Sequence, residues 1–118
     1  MNFGVATARD GDTVVVVLTG EVDLYTAPQL EHELKRAVEE SAEHIVVDMT
    51  QTTFIDSTTL GVLVGCLKRL TPSGRRLALV IADTSIRRVF DITGLDRVFP
   101  IYDSRDEAIR SLPAGTAG

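Results

Sequence analysis

Phe54-Ile55-Asp56-Ser57-Thr58-Thr59-Leu60-Gly61-Val62-Leu63 joins an apolar, strand-like run to the start of a helix. Upstream, His44-Ile45-Val46-Val47-Asp48-Met49 reads as a buried strand; downstream, Leu60, Leu63, Val64, Leu67 and Leu70 recur at helical spacing and form one apolar stripe. Asp56 and Ser57 therefore fall at or near the helix N-cap. Side-chain oxygens there accept from backbone N–H groups that have no helical partner, so capping alone accounts for both residues. A hydroxyl at such a boundary is also well placed to carry a phosphoryl switch.

Outward from this junction the chain alternates strands with helices. Val5-Ala6-Thr7-Ala8 and Val14-Val15-Val16-Val17-Leu18 flank Asp10-Gly11-Asp12, whose Asp-Gly step supplies the positive-φ residue of a tight hairpin. Gly20-Glu21-Val22-Asp23 reads as a turn after the second strand, with Asp23 satisfying local backbone donors. Thr26-Ala27-Pro28-Gln29 has the pattern of a capping box ahead of a helical face made by Leu30, Leu34, Ala37 and Val38. Pro72-Ser73-Gly74 ends the Ser57 helix, and Leu77-Ala78-Leu79-Val80-Ile81-Ala82 is a central strand. Thr84 or Ser85 caps a short helix carrying Ile86, Val89 and Phe90, with Gly94 at its C-terminal end. Val98-Phe99-Pro100-Ile101-Tyr102 is a last strand, short or at a sheet edge because proline donates no hydrogen bond. Ser104-Arg105-Asp106-Glu107 repeats the capping-box pattern before Ala108, Ile109 and Leu112. The expected fold is a single α/β domain over residues 1–112. Its mixed sheet has four to five strands, an N-terminal antiparallel hairpin and parallel crossovers through about four helices. Residues 113–118 are expected to be a disordered tail.

Length and composition agree, since 118 residues fit one ordinary core. A net charge of −5 argues against a phosphate-backbone binder, and no direct nucleic-acid contact is expected. No apolar run approaches the roughly 20 residues of a spanning helix, and Met1-Asn2-Phe3 opens without a basic region and apolar signal core, so a cytoplasmic protein without membrane insertion is expected. Cys66 is the only cysteine, which leaves no internal disulfide; it falls at the border of the helix stripe, as a packing residue able to form adventitious disulfide dimers. His32, His44 and Cys66 fall on separate elements, so neither metal nor cofactor is expected. The Gly-x-x-x-x-Gly-Lys phosphate loop is absent too, which assigns any ATP to a partner.

The Ser57 helix carries a second signal. With its apolar stripe inward, Thr58, Gly61, Val62, Gly65 and Arg69 lie on the opposite side at about 100° per residue. Glycine costs about 1 kcal/mol relative to alanine inside a helix. Two of them four residues apart therefore ask for close backbone approach, either by a neighbouring helix or by a docking partner.

Gly20-Glu21-Val22-Asp23, Thr26-Ala27, Asp56-Ser57 with Leu60-Gly61-Val62, and Phe90-Asp91-Ile92-Thr93-Gly94-Leu95 together resemble the bacterial anti-sigma factor antagonists of the STAS domain family. The likeness spans nearly the whole chain. It implies a regulatory binding protein and kinase substrate, not an enzyme. In its unphosphorylated form it would bind an anti-sigma factor with ATP-dependent serine kinase activity and release the sigma factor; phosphorylation would abolish binding and a serine phosphatase would restore it. By the same resemblance Ser57 matches the phosphoacceptor, with Thr58 as a possible alternative, and Asp23 lies beside it as a recognition contact. Asp23, Asp56, Ser57, Thr58, Gly61, Val62 and Gly65 form the implied partner surface. Thr59 departs from the family, which usually has a small residue there, and its β-branched bulk is expected to alter a kinase's approach. Family members without a phosphoacceptor serve in lipid-transport or stress-signalling complexes, which is the alternative reading. A monomer or weak homodimer fits either.

Two catalytic readings fit less well. Asp56-Ser57-Thr58 is not the Gly-x-Ser-x-Gly elbow of a serine hydrolase, and His32 and His44 read as ordinary surface residues. A phosphoacceptor-aspartate receiver using Asp48 or Asp56 would resemble its family in an acidic pair after the first strand and a lysine near the last, but Lys35 and Lys68 are the only lysines.

Overall fold

The computed structural model describes residues 3–40 and 43–113. In chain order the elements are β1 (Phe3–Asp10), β2 (Thr13–Val22), α1 (Ala27–Glu39), β3 (His44–Ile55), α2 (Ser57–Leu70), β4 (Arg76–Val80), α3 (Thr84–Thr93), β5 (Ile101–Tyr102) and α4 (Arg105–Ser111). Single 3-10 turns, Thr71–Ser73 and Leu95–Arg97, follow α2 and α3. The five strands lie side by side in the order in which they occur in the chain. β1 runs antiparallel to β2 and the remaining neighbours are parallel, which is the expected mixed sheet. Gly11, at φ +60°, makes the two-residue turn that pairs Asp10 with Thr13.

The alternation of side chains along the strands divides the interior in two. Val14, Val16 and Leu18, Ile45, Val47 and Met49, and Leu77, Leu79 and Ile81 face one way, into the main core with the buried residues of α1, α2 and α3. Phe90 and Phe99 meet there edge to face, with ring centroids 6.1 Å apart. Val15, Val46, Ala78 and Val80 face the other way and are covered by Ala108, Ile109 and Leu112 of α4 and its exit. Among the described residues α4 is the only helix in that second layer. It is fastened by Arg105, whose Nε and Nη2 donate to Asp48 Oδ2 at 3.1 and 3.0 Å. The other Asp48 oxygen accepts from the Thr50 backbone and hydroxyl, so the buried carboxylate is fully partnered.

Several local expectations are corrected. Gly20-Glu21-Val22 is not a turn: it continues β2, and Gly20, at φ +84°, sits where the β2–β3 register shifts. The α1 capping box does not form, because Thr26 itself has helical backbone angles and its hydroxyl accepts from Asp23 N–H at 2.8 Å instead. Asp83, not Thr84 or Ser85, caps α3, accepting from the N–H groups of Ser85 and Ile86. Ser104 does cap α4, accepting from Glu107 N–H at 3.2 Å. The last strand is short and at the sheet edge, as its proline required, but only Ile101 and Tyr102 form it because the 3-10 turn takes up the chain before Val98. Met1, Asn2 and residues 114–118 of the expected tail lie outside the described residues.

His44 is also not a surface residue. It is buried at the start of β3, and its Nδ1 accepts the Arg76 backbone N–H at 3.0 Å. Burial, the largest cause, holds its pKa below the usual value of 6.5. Only the neutral ring can accept that bond. The unfolded chain therefore takes up a proton first as pH falls: the His44 contribution is complete above about pH 6.5 and drains away below it, toward the lowered folded-state pKa. We expect urea-unfolding stability to fall between pH 7 and pH 5 more steeply in the wild type than in His44→Asn, whose amide oxygen can accept the bond without titrating. Equal slopes would contradict the assignment.

Candidate functional site

The parallel pairing of β2 and β3 ends at Val22 and Ile55, so Asp23 and Asp56 leave neighbouring strand ends side by side. Each aspartate organises its own loop. Asp23 Oδ1 accepts from the N–H groups of Tyr25 and Thr26 at 2.9 and 3.1 Å, and the Asp23 carbonyl accepts from Ala27 N–H at 2.8 Å. This turn leaves Leu24 and Tyr25 62% and 79% exposed. Asp56 is extended and is the N-cap of α2, its Oδ1 accepting from Thr59 N–H at 3.2 Å.

Capping by Asp56 frees Ser57. It is the first residue of α2 and is exposed, whereas Thr58 is half-buried. An anion on the Ser57 hydroxyl would sit in the first turn, where the helix dipole and free N–H groups favour negative charge but Asp56 and Asp23 oppose it.

Thr59 overturns an expectation. It does not face an approaching partner: it is completely buried, and its hydroxyl donates to the Val22 carbonyl at 2.9 Å. That bond ties the first turn of α2 to the residue preceding Asp23. The inward face of α2 is accordingly rotated toward Thr59 and Cys66, which are buried with Leu60, Leu63 and Leu70, while Val64 and Leu67 are only half-buried. A pattern of apolar residues misses Thr59 because its burial depends on a distant acceptor.

Ser57, Gly61 and Gly65, spaced by four, form one outward row, with Val62 beside it. A Cβ added at Gly61 or Gly65 would meet no atom within 4 Å. Close packing within the fold is therefore not what the glycines serve, which removes one of the two readings of this face. Phe54, opposite Glu21 at the end of β3, is a further exposed apolar residue near the junction. Leu24 and Tyr25 belong to no motif of the sequence; an apolar pair between Asp23 and Thr26 is the available signal.

A STAS domain model matches residues 5–108. This chain belongs to the STAS domain family. It is 37% identical over 106 residues to the anti-sigma-B factor antagonist of Staphylococcus epidermidis, covering 90% of this chain and 98% of that one. An anti-sigma factor antagonist from Mycobacterium paratuberculosis superposes with a TM-score of 0.87 at 28% identity, over 93% of both chains. The Bacillus cell fate determinant SpoIIAA, solved in a phosphorylated form, superposes with a TM-score of 0.71 at 25% identity, over 95% of this chain and all of that one.

Other reactive groups of this STAS domain lie away from the junction. Cys66 is buried in the core and burial pushes its thiol up to about 11, so adventitious disulfide dimers are not expected after all. His32 is exposed on α1 and His44 is buried in the sheet. Among the described residues no group of three or more His, Cys, Asp or Glu side chains could hold a metal ion. No helix among them is long and apolar enough to cross a membrane.

Proposed function

We propose that this STAS domain is a cytoplasmic anti-sigma factor antagonist controlled by phosphorylation of Ser57. Unphosphorylated, it binds an anti-sigma factor that is also an ATP-dependent serine kinase, and the sigma factor is released. The observation that carries this reading is the exposed Ser57 heading a row with Gly61 and Gly65, where an added Cβ would meet no atom within 4 Å. A backbone-smooth helix face lets a partner approach closely enough to sense a phosphoryl group at its head. The relatives named anti-sigma factor antagonists, and the phosphorylated form of SpoIIAA, support the same reading.

The phosphoryl group acts at the interface and not on the fold. It adds about −1.5 to −2 charges beside Asp56 and the Asp23 turn, in a contact shaped for a neutral hydroxyl. Asp23 and Asp56 serve as partner contacts through the loops they hold, together with Thr58, Gly61, Val62 and Gly65. Thr58 is the secondary acceptor, less accessible than Ser57. A serine phosphatase resets the switch.

Tagged wild type, Ser57→Ala and Ser57→Asp, incubated in parallel with lysate of the source organism and ATP, test this. The expected result is an ATP-binding kinase retained by Ser57→Ala and lost by Ser57→Asp, with phosphate mapped to Ser57 of the wild type. Retention independent of position 57 would favour the non-phosphorylated scaffold instead.

A further inference from the structure

We infer that the free edge of β1 is a self-association surface, pairing antiparallel with β1 of a second copy to extend the sheet across a two-fold axis. The two edges of the sheet are treated differently. β5 is two residues long, preceded by Pro100 and followed by Asp103, which are devices that block strand addition. β1 is eight residues long, contains no proline, carries charge only at its last two residues, Arg9 and Asp10, and pairs with β2 without a register shift. Its outer side has no neighbouring strand among the described residues.

The hairpin fixes which backbone groups are offered. Asp10 and Thr13 close a two-residue turn and so form a hydrogen-bonded pair. By alternation Ala8, Ala6 and Gly4 bond to β2, and Phe3, Val5, Thr7 and Arg9 turn their N–H and C=O groups outward. The antiparallel register that uses all four of these residues on both copies pairs Phe3 with Arg9 and Val5 with Thr7, and places Ala6 opposite Ala6 on the axis.

The side chains suit that register, which argues for a second copy over an unrelated peptide. On the face away from α1, Gly4 would meet Ala8 and Ala6 would meet itself, with no bulk or charge to clash. On the α1 face, the Arg9 guanidinium would lie against the Phe3 ring and the branched Val5 beside Thr7. Clefts of about 460 and 140 Å³ between β1 and α1, lined by Val5, Thr7, Ala8 and Arg9 of β1, leave room there for the opposing side chains. This arrangement leaves Ser57 and the α2 row free, so it is independent of the partner switch.

The Ala6 residues would form a non-hydrogen-bonded pair, with Cα atoms about 4.5 Å apart, within the range a disulfide spans. Full-length Ala6→Cys should therefore cross-link to a dimer under mild oxidation, while Asp103→Cys at the guarded edge should not. Sedimentation of the wild type over a concentration series should approach twice the 12.8 kDa chain mass. Thr7→Pro, which removes an outward N–H and no β2 bond, should hold the mass at one chain; Ala6→Lys, which opposes like charges on the axis, should do the same if the proline variant fails to fold. A wild type that stays monomeric throughout, or a dimer that neither Ala6→Cys traps nor Ala6→Lys disrupts, would overturn the proposal.

Discussion

Gly61→Leu combined with Gly65→Leu is expected to abolish binding of the anti-sigma factor while leaving the domain more stable than the wild type. The two effects come from one observation: an added Cβ at either position meets nothing within 4 Å. With room for the Cβ at both positions, each substitution removes the helix penalty of glycine, about 1 kcal/mol per site relative to alanine, with leucine close to alanine. A partner seated on the same row meets two side chains where it had backbone. Overpacking of a fitted contact costs about 1–3 kcal/mol per site. Together about 3 kcal/mol corresponds to a loss of affinity of more than a hundredfold. Gly61→Ala with Gly65→Ala should gain about as much stability and lose less affinity. Urea unfolding and titration calorimetry against the partner recovered by pull-down would measure both. A leucine variant with raised stability and unchanged affinity would remove α2 from the interface.

The second large effect concerns Thr59. Thr59→Val keeps the β-branched shape and the buried methyl but deletes the hydroxyl that donates to the Val22 carbonyl. Leaving a buried acceptor without its donor costs about 1–3 kcal/mol. Thr59→Ser keeps the donor and loses only a methyl group, worth roughly 1 kcal/mol. The variants differ more sharply in where they act. Because the bond joins α2 to the strand end before Asp23, Thr59→Val should speed amide exchange at Leu24 and Tyr25 beyond the change set by global stability, and Thr59→Ser should not. If Thr59→Val unfolds within about 0.5 kcal/mol of the wild type, the range of an ordinary surface change, the tie has no energetic role.

What could be read in advance was whatever repeats at short range. Val14–Leu18 and Leu77–Val80 are strands by composition alone, though the apolar run beyond Val80 is not strand, Asp10-Gly11-Asp12 announces its turn, and Ser104 with Glu107 marks a cap three residues wide. The order of these elements was enough to specify the mixed sheet, because parallel neighbours joined by helices leave few arrangements. Illegible features depend on partners far along the chain. Thr59 bonds to Val22 across 37 positions and His44 to Arg76 across 32, and nothing local distinguishes such residues from solvent-facing ones. Polar Thr50-Gln51-Thr52-Thr53 hid the extension of β3 to Ile55, although Thr52 is buried and its hydroxyl lies 3.4 Å from the Leu18 carbonyl. For the site, Asp56 and Ser57 announced a helix start, while the emptiness above Gly61 and Gly65 required coordinates.

The cover that α4 gives the second sheet face has a consequence for synthesis. Val15 and Val46 emerge early from the ribosome, yet the residues that cover them, Ala108, Ile109 and Leu112, emerge only after all five strands. At about 5–20 residues per second, Val15 waits on the order of five to twenty seconds and Val46 on the order of three to thirteen, with that sheet face wet. The Asp48 carboxylate waits on the order of three to eleven seconds for Arg105. Closure of this domain is thus timed by its C-terminal helix, and a nascent chain stalled before Arg105 would present an apolar sheet face to chaperones.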